Sequence, residues 1–112
     1  MIDAAELWET FAEHAALVMS GGRAPARRSG RGWFAVITGE PHCDLNECGL
    51  TSRATAADVE ALVACIAAAA VPALVSVASS VPDAITEPLS AAGFAPVRAC
   101  PEITTGNAIR QV

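Results

Sequence analysis

Arg27, Arg28 and Arg31 share a six-residue run with Ser29, Gly30 and Gly32, a composition suited to contact with an anion or an acidic partner. Arginine supplies fixed positive charge, and glycine lets backbone N–H groups approach a bound oxyanion. Arg23 extends the basic cluster. A working anion cradle also needs a helix beginning directly behind it, so that amides and macrodipole converge. Here the run follows a predicted helix and leads into Trp33-Phe-Ala-Val-Ile-Thr38, which reads as a strand. The spacing is therefore present in an unsuitable setting, and a flexible basic loop on the surface is the plainer expectation.

A second group of candidates lies just downstream. His42, Cys43 and Cys48 suggest a thiol or zinc site, and Asp44 and Glu47 are candidate bases. Alternation along a strand points Cys43 and Cys48 to opposite faces, and likewise Asp44 and Glu47. His42 and Cys43 are neighbours that diverge, so the imidazole is badly placed to activate the thiol. There is no CxxC pair to nucleate a metal site, so no metal is expected. Cys65 and Cys100 read as small apolar core residues. His14 receives no role. Asp44 and Glu47 read as solvated strand carboxylates, and no catalytic residue is assigned.

The elements that would position these groups follow from the pattern. Leu7, Trp8, Phe11, Ala15 and Val18 recur at helical spacing, which predicts a helix from Asp3 to about Met19. Ser20-Gly21-Gly22 ends it. Trp33–Thr38 and Cys43–Leu50 read as two strands around Gly39-Glu40-Pro41. Thr55-Ala-Ala-Asp58 has capping-box spacing and opens a helix with Val59, Leu62, Val63 and Ile66 on one face. Pro72 closes it. Ala73–Ser79 is a nearly continuous apolar run, expected at the centre of a sheet with both faces covered. Ser80-Val-Pro-Asp83 signals another helix, which Pro88 should kink or break, with Thr86 capping a second piece. Gly93 should terminate it. Phe94 then begins a strand whose Pro96 and Pro101 confine it to an edge.

These elements make an α/β (α+β) fold, a mixed sheet of about four strands with flanking helices in the order α-β-β-α-β-α-β. One domain spans 1–112, with an N-terminal helix over 1–20, a basic loop over 21–32, a core over 33–103 and a tail over 104–112. The 112 residues, 53% hydrophobic and 17% charged, suffice for one modest core. Much of the apolar content is alanine, so the larger contacts fall to Trp8, Phe11, Trp33, Phe34 and Phe94. The net charge of −5 opposes non-specific nucleic-acid binding. The acidic amphipathic N-terminus does not read as a signal peptide, and Ala61–Ala78 is short for a membrane span and contains Pro72. A cytoplasmic protein with reduced cysteines is expected.

Three features in this order carry a family likeness: Asn46 within "DLNECGL", Pro72 before "ALVSVASS", and Leu89, Gly93 and Phe94 in "LSAAGFAPV". Over about Ser29 to Thr105 the chain resembles the N-terminal lobe of GNAT-type N-acetyltransferases. The resemblance implies half of a two-lobed fold, ending about where the half that grips acetyl-CoA would begin. GNAT proteins hold the cofactor's pyrophosphate on an [Arg/Gln]-x-x-Gly-x-[Gly/Ala] loop, which the run Arg27-Arg28-Ser29-Gly30-Arg31-Gly32 matches literally, so the resemblance implies Arg27, Gly30, Arg31 and Gly32 as cofactor-binding candidates. They often use a tyrosine as acid, and this chain contains none. The resemblance therefore implies a lobe that is non-catalytic alone and needs no cofactor. It would act in oligomerisation, or frame a substrate site with a catalytic GNAT-type partner chain. The alternative is a small N-acetyltransferase that uses acetyl-CoA at a site completed across a homodimer. A third reading is an unrelated α/β sandwich that binds a protein or a small ligand, and splaying of the central strands would separate GNAT from that case.

Overall fold

A computed structural model describes residues 26–96 and 106–111. The expected helix over 1–20, Arg23, His14, Trp8, Phe11, Cys100 and Pro101 lie outside the described residues.

Six strands form one mixed sheet in the order β1-β2-β3-β4-β6-β5. They are β1 (Ala26–Ser29), β2 (Trp33–Ile37), β3 (Asn46–Leu50), β4 (Leu74–Val77), β5 (Ala95–Pro96) and β6 (Ala108–Gln111). β1, β2 and β3 pair antiparallel, and β3, β4, β6 and β5 pair parallel. Two helices, α1 (Ala56–Ala69) and α2 (Asp83–Ala91), connect the parallel strands. The α/β class stands.

The sheet has two strands more than the sequence pattern gives. The arginine segment expected as a loop over 21–32 contains β1, antiparallel to β2 from Ala26↔Ile37 to Ser29↔Phe34. Its four residues are all exposed, so no apolar alternation announces it. Residues 108–111, expected as a tail, form β6 and insert between β4 and β5. β5 takes the edge position that Pro96 demands, but only two residues belong to it.

Strand β3 begins at Asn46 rather than Cys43, because Cys43–Leu45 form a turn of 3-10 helix. Asp44 thus lies in that turn and not on a strand with Glu47.

Helix α1 starts with the capping box read from Thr55 and Asp58. The Thr55 N–H donates to Asp58 Oδ2 at 2.8 Å, and the Asp58 N–H donates to Thr55 Oγ1 at 3.3 Å. Val59, Leu62 and Ile66 face the sheet and are buried. The helix closes at Ala70 in the left-handed conformation (φ 55°, ψ 33°).

Helix α2 does not break at Pro88, and its N-cap is Pro82. The Thr86 hydroxyl donates to the Asp83 carbonyl at 3.1 Å instead of capping a second piece. An internal proline costs about 3 kcal/mol. Burial of Leu89 and Phe94, at about 2 kcal/mol each, offsets that. The two residues also close the helix. Phe94 N–H donates to the Leu89 carbonyl and Gly93 N–H to the Ser90 carbonyl, both at 3.0 Å. With Gly93 at φ +95°, this is a Schellman closure with its apolar contact. Leu-x-x-x-Gly-Phe is thus a helix stop in this chain.

The core lies between the helices and one sheet face. Ala35, Ile37, Cys48, Leu50, Val75 and Val77 pack against Val59, Leu62, Ile66, Leu89 and Phe94. The opposite face buries Phe34, Val36, Leu74, Ser76 and Ala108. All four residues of β4 are buried, as the apolar run predicts for a strand covered on both sides.

Candidate functional site

The arginine–glycine run becomes a β-hairpin. Arg27 and Arg28 sit on β1, and Gly30-Arg31-Gly32 make the turn to β2. The Gly30 N–H donates to the Trp33 carbonyl at 2.9 Å, and the Gly32 carbonyl accepts from the Thr51 N–H at 2.9 Å. A methyl group at Gly30 would strike the Trp33 indole. At Gly32 it would come within 2.5 Å of Asp58 Oδ2 and 2.6 Å of the Ala54 Cα. Both glycines are thereby explained by packing.

The structure supplies, through space, the helix that the sequence lacks directly behind this run. Gly32 lies against the first turn of α1. That N-terminus already holds an anion, since the Asp58 carboxylate accepts from the Thr55 N–H and from Thr55 Oγ1 at 3.1 Å. The chain's own carboxylate thus already supplies negative charge at this helix N-terminus, which opposes a second anion there.

The central strands remain paired. β3 and β4 run in register from Glu47↔Leu74 to Leu50↔Val77, and the Ala78 N–H donates to the Leu50 carbonyl at 3.1 Å. The splay set out as the mark of a GNAT core is absent over this stretch.

Asn46 is fully buried and organises the loop between β2 and β3. Its Oδ1 accepts from the Thr38 N–H (2.9 Å), the Thr38 hydroxyl (3.2 Å) and the Gly39 N–H (3.2 Å). Its Nδ2 donates to the carbonyls of Glu40 (2.8 Å), His42 (3.1 Å) and Pro72 (2.8 Å). Both atoms are saturated by backbone and hydroxyl groups, so this amide builds structure.

Glu47 is not a solvated strand carboxylate. It lies on the face opposite the helices, 3.8 Å from Arg110 Nη2, with side-chain exposures of 12% and 16%. Arg110 Nη2 also donates to Ser76 Oγ at 3.0 Å. Glu47, Ser76 and Arg110 thus brace three neighbouring strands. Ser76 is 2% exposed and its hydroxyl oxygen accepts from a guanidinium, while among the described residues no hydrogen bond joins it to a carboxylate or imidazole. The cluster ties the sheet together across β3, β4 and β6. Sequence reading missed Ser76 and Arg110. The available signal was a serine inside an apolar strand and an arginine between Ile109 and Gln111.

The cysteines fall on different surfaces. Cys43 packs with Leu74 and Ala108, while Cys48 belongs to the core under the helices. His42 is exposed and Cys43 buried. Burial pushes the Cys48 thiol far above its ordinary value, with the Cys65 and Glu47 charges adding to the shift. Burial also raises Cys65, and the Arg28 guanidinium opposes that. Among the described residues no group of three His, Cys, Asp or Glu side chains could hold a metal ion. Within the same residues, no helix is long and apolar enough to cross a membrane.

A groove of about 660 Å³ lies open between β1 and α1. Ala61, Ala64 and Ala68 form its helical wall, Trp33 and Ile37 its floor, and Arg28 is the one charged lining residue among those described. Helix α1 is apolar nearly all round: Ala57, Ala61, Ala64, Ala67 and Ala68 are exposed, with only Glu60 charged among its outward residues. Such a helix is typical of one covered by further protein. Comparison with protein-family models, curated proteins and solved structures found no match.

Proposed function

We propose that this chain is a non-catalytic lobe of GNAT type, which acts by docking to another chain, in oligomerisation or in framing a substrate site. The family name rests on the sequence resemblance alone; the unsplayed β3–β4 pairing speaks for the third reading, an α/β module that binds a protein, and the docking role is common to both. The observation that carries the docking role is the exposed edge strand β1 beside the alanine surface of α1. An exposed edge strand and an apolar helix face both favour addition of another chain.

Two further features support the non-catalytic part. A cofactor threading between the central strands would need them apart, and β3 and β4 are paired to Leu50 and Ala78. A pyrophosphate at the α1 N-terminus would meet the negative Asp58 carboxylate already held there.

Calorimetric titration with acetyl-CoA tests the reading. No binding is expected at millimolar ligand. Tight binding that is lost in Arg27→Ala and Arg31→Ala would overturn it in favour of an acetyltransferase completed across a homodimer.

A further inference from the structure

From the groove between β1 and α1 we infer the chemistry of the partner: an extended acidic segment of a different protein, carrying small apolar side chains. The inference rests on the docking role proposed above and goes on to say what docks.

Shape and charge select this occupant together. The helical wall is built from alanines, so the groove accepts small apolar side chains along its length. Among the described residues Arg28 is the one charged group lining it, and it lies close enough to α1 to act on the Cys65 thiol. A carboxylate seated between the apolar residues would meet the exposed Arg28 guanidinium, an attraction that selects the sign of the partner's charge more than it adds affinity. Strand β1 borders the groove at the sheet edge with all its residues exposed, which suits an extended segment lying alongside.

A second copy of the chain fits poorly. Four of the seven arginines lie within residues 23–31, in a chain whose net charge is −5. Two-fold pairing through β1 sets Arg28 and its neighbours against their own copies, and like charges facing across strands are unfavourable. An acidic foreign segment has the complementary charge.

The test uses the whole chain and two fluorescein-labelled eight-residue peptides, one alternating Glu with Val and the other Lys with Val. Fluorescence anisotropy follows binding at low salt and at about 0.5 M salt, where exposed charges are strongly screened. The Glu peptide is expected to bind and the Lys peptide not to. Affinity should fall about tenfold or more in Arg28→Glu, and also in Ala64→Trp, which fills the groove from an exposed position. Unchanged circular dichroism of both variants shows that the fold is kept. High salt should weaken binding, and amide exchange should slow across β1 in the complex.

Equal binding of both peptides, indifference to the two substitutions, or no binding at millimolar peptide would overturn the inference. So would light scattering that shows a concentration-dependent dimer through β1 that the Glu peptide does not displace. That last result would leave the docking role standing. Tight acetyl-CoA binding would instead remove the docking role itself.

Discussion

The Asn46 side-chain amide donates a 2.8 Å hydrogen bond to the Pro72 carbonyl, joining the loop before β3 to the residue that leads into β4. The two residues are 26 positions apart. One amide therefore ties the approaches to two parallel neighbours, while its oxygen gathers the Thr38 and Gly39 N–H groups.

Replacing Asn46 by alanine should orphan several of these groups at once. Each buried unpaired donor or acceptor costs about 1–3 kcal/mol. Some are reached by water after truncation, so a total loss of about 3 kcal/mol is expected, read as a lower urea midpoint. Asn46→Asp should fail differently. A carboxylate would face the Glu40, His42 and Pro72 carbonyls, so the variant should be less stable at neutral pH than at pH 4. Equal loss at both pH values would contradict the donor role.

Gly32→Ala should destabilise through contact with α1. The new methyl meets Ala54 backbone within 2.6 Å and the Asp58 carboxylate within 2.5 Å. Backbone shifts and a damaged capping box together should cost about 2 kcal/mol or more. The loss should be the same with and without acetyl-CoA in the thermal melt. A loss confined to ligand binding would instead return Gly32 to a phosphate role.

Ala70→Gly should stabilise. Alanine at φ 55° carries a left-handed penalty of about 1–2 kcal/mol. Glycine removes it but adds about 0.5–1 kcal/mol of unfolded-state entropy. The net gain is about 0.5–1 kcal/mol in denaturant unfolding.

Cys48 gives a pH dependence of known sign. Burial raises its thiol in the folded state, so the folded protein keeps a proton that the unfolded chain releases. The contribution is complete below the unfolded value, about pH 8.5, and falls with rising pH by about 1.4 kcal/mol per unit above it. Cys65 is raised in the same direction. Comparing wild type with Cys48→Ala between about pH 8 and 10 isolates the term. The variant should be less stable at pH 8 from the lost packing, but should decline less steeply. Parallel curves would show that Cys48 is accessible to ionisation in the folded state.

Helix α1, β2 and β4 were readable because local signals and burial agree. Thr55 and Asp58 cap where they should, and Val59, Leu62 and Ile66 face the core. Gly93 and Phe94 likewise gave the end of α2. Strand β1 was hidden because Arg27, Arg28 and Ser29 are held by pairing to β2, with no buried side chain to set a period. Strand β6 was hidden for a related reason. Arg110 is polar because it meets Glu47 and Ser76, partners that no local window contains. Pro88 misled because propensity was weighed without the anchoring of Leu89 and Phe94. The Arg27–Gly32 spacing was visible, but only the folded chain shows its glycines packed on Trp33 and Ala54.

Insertion of β6 between β4 and β5 has a consequence for the order of folding during synthesis. While residues 26–96 are already made, one whole side of β4 lacks its neighbour, and the two residues of β5 have nothing to pair with. The buried Leu74 and Ser76 face also lacks Ala108 and Arg110. A nascent chain paused before residue 108 therefore presents an apolar central strand as a template for other strands. Protection of that edge falls to chaperones or to the speed with which β6 arrives.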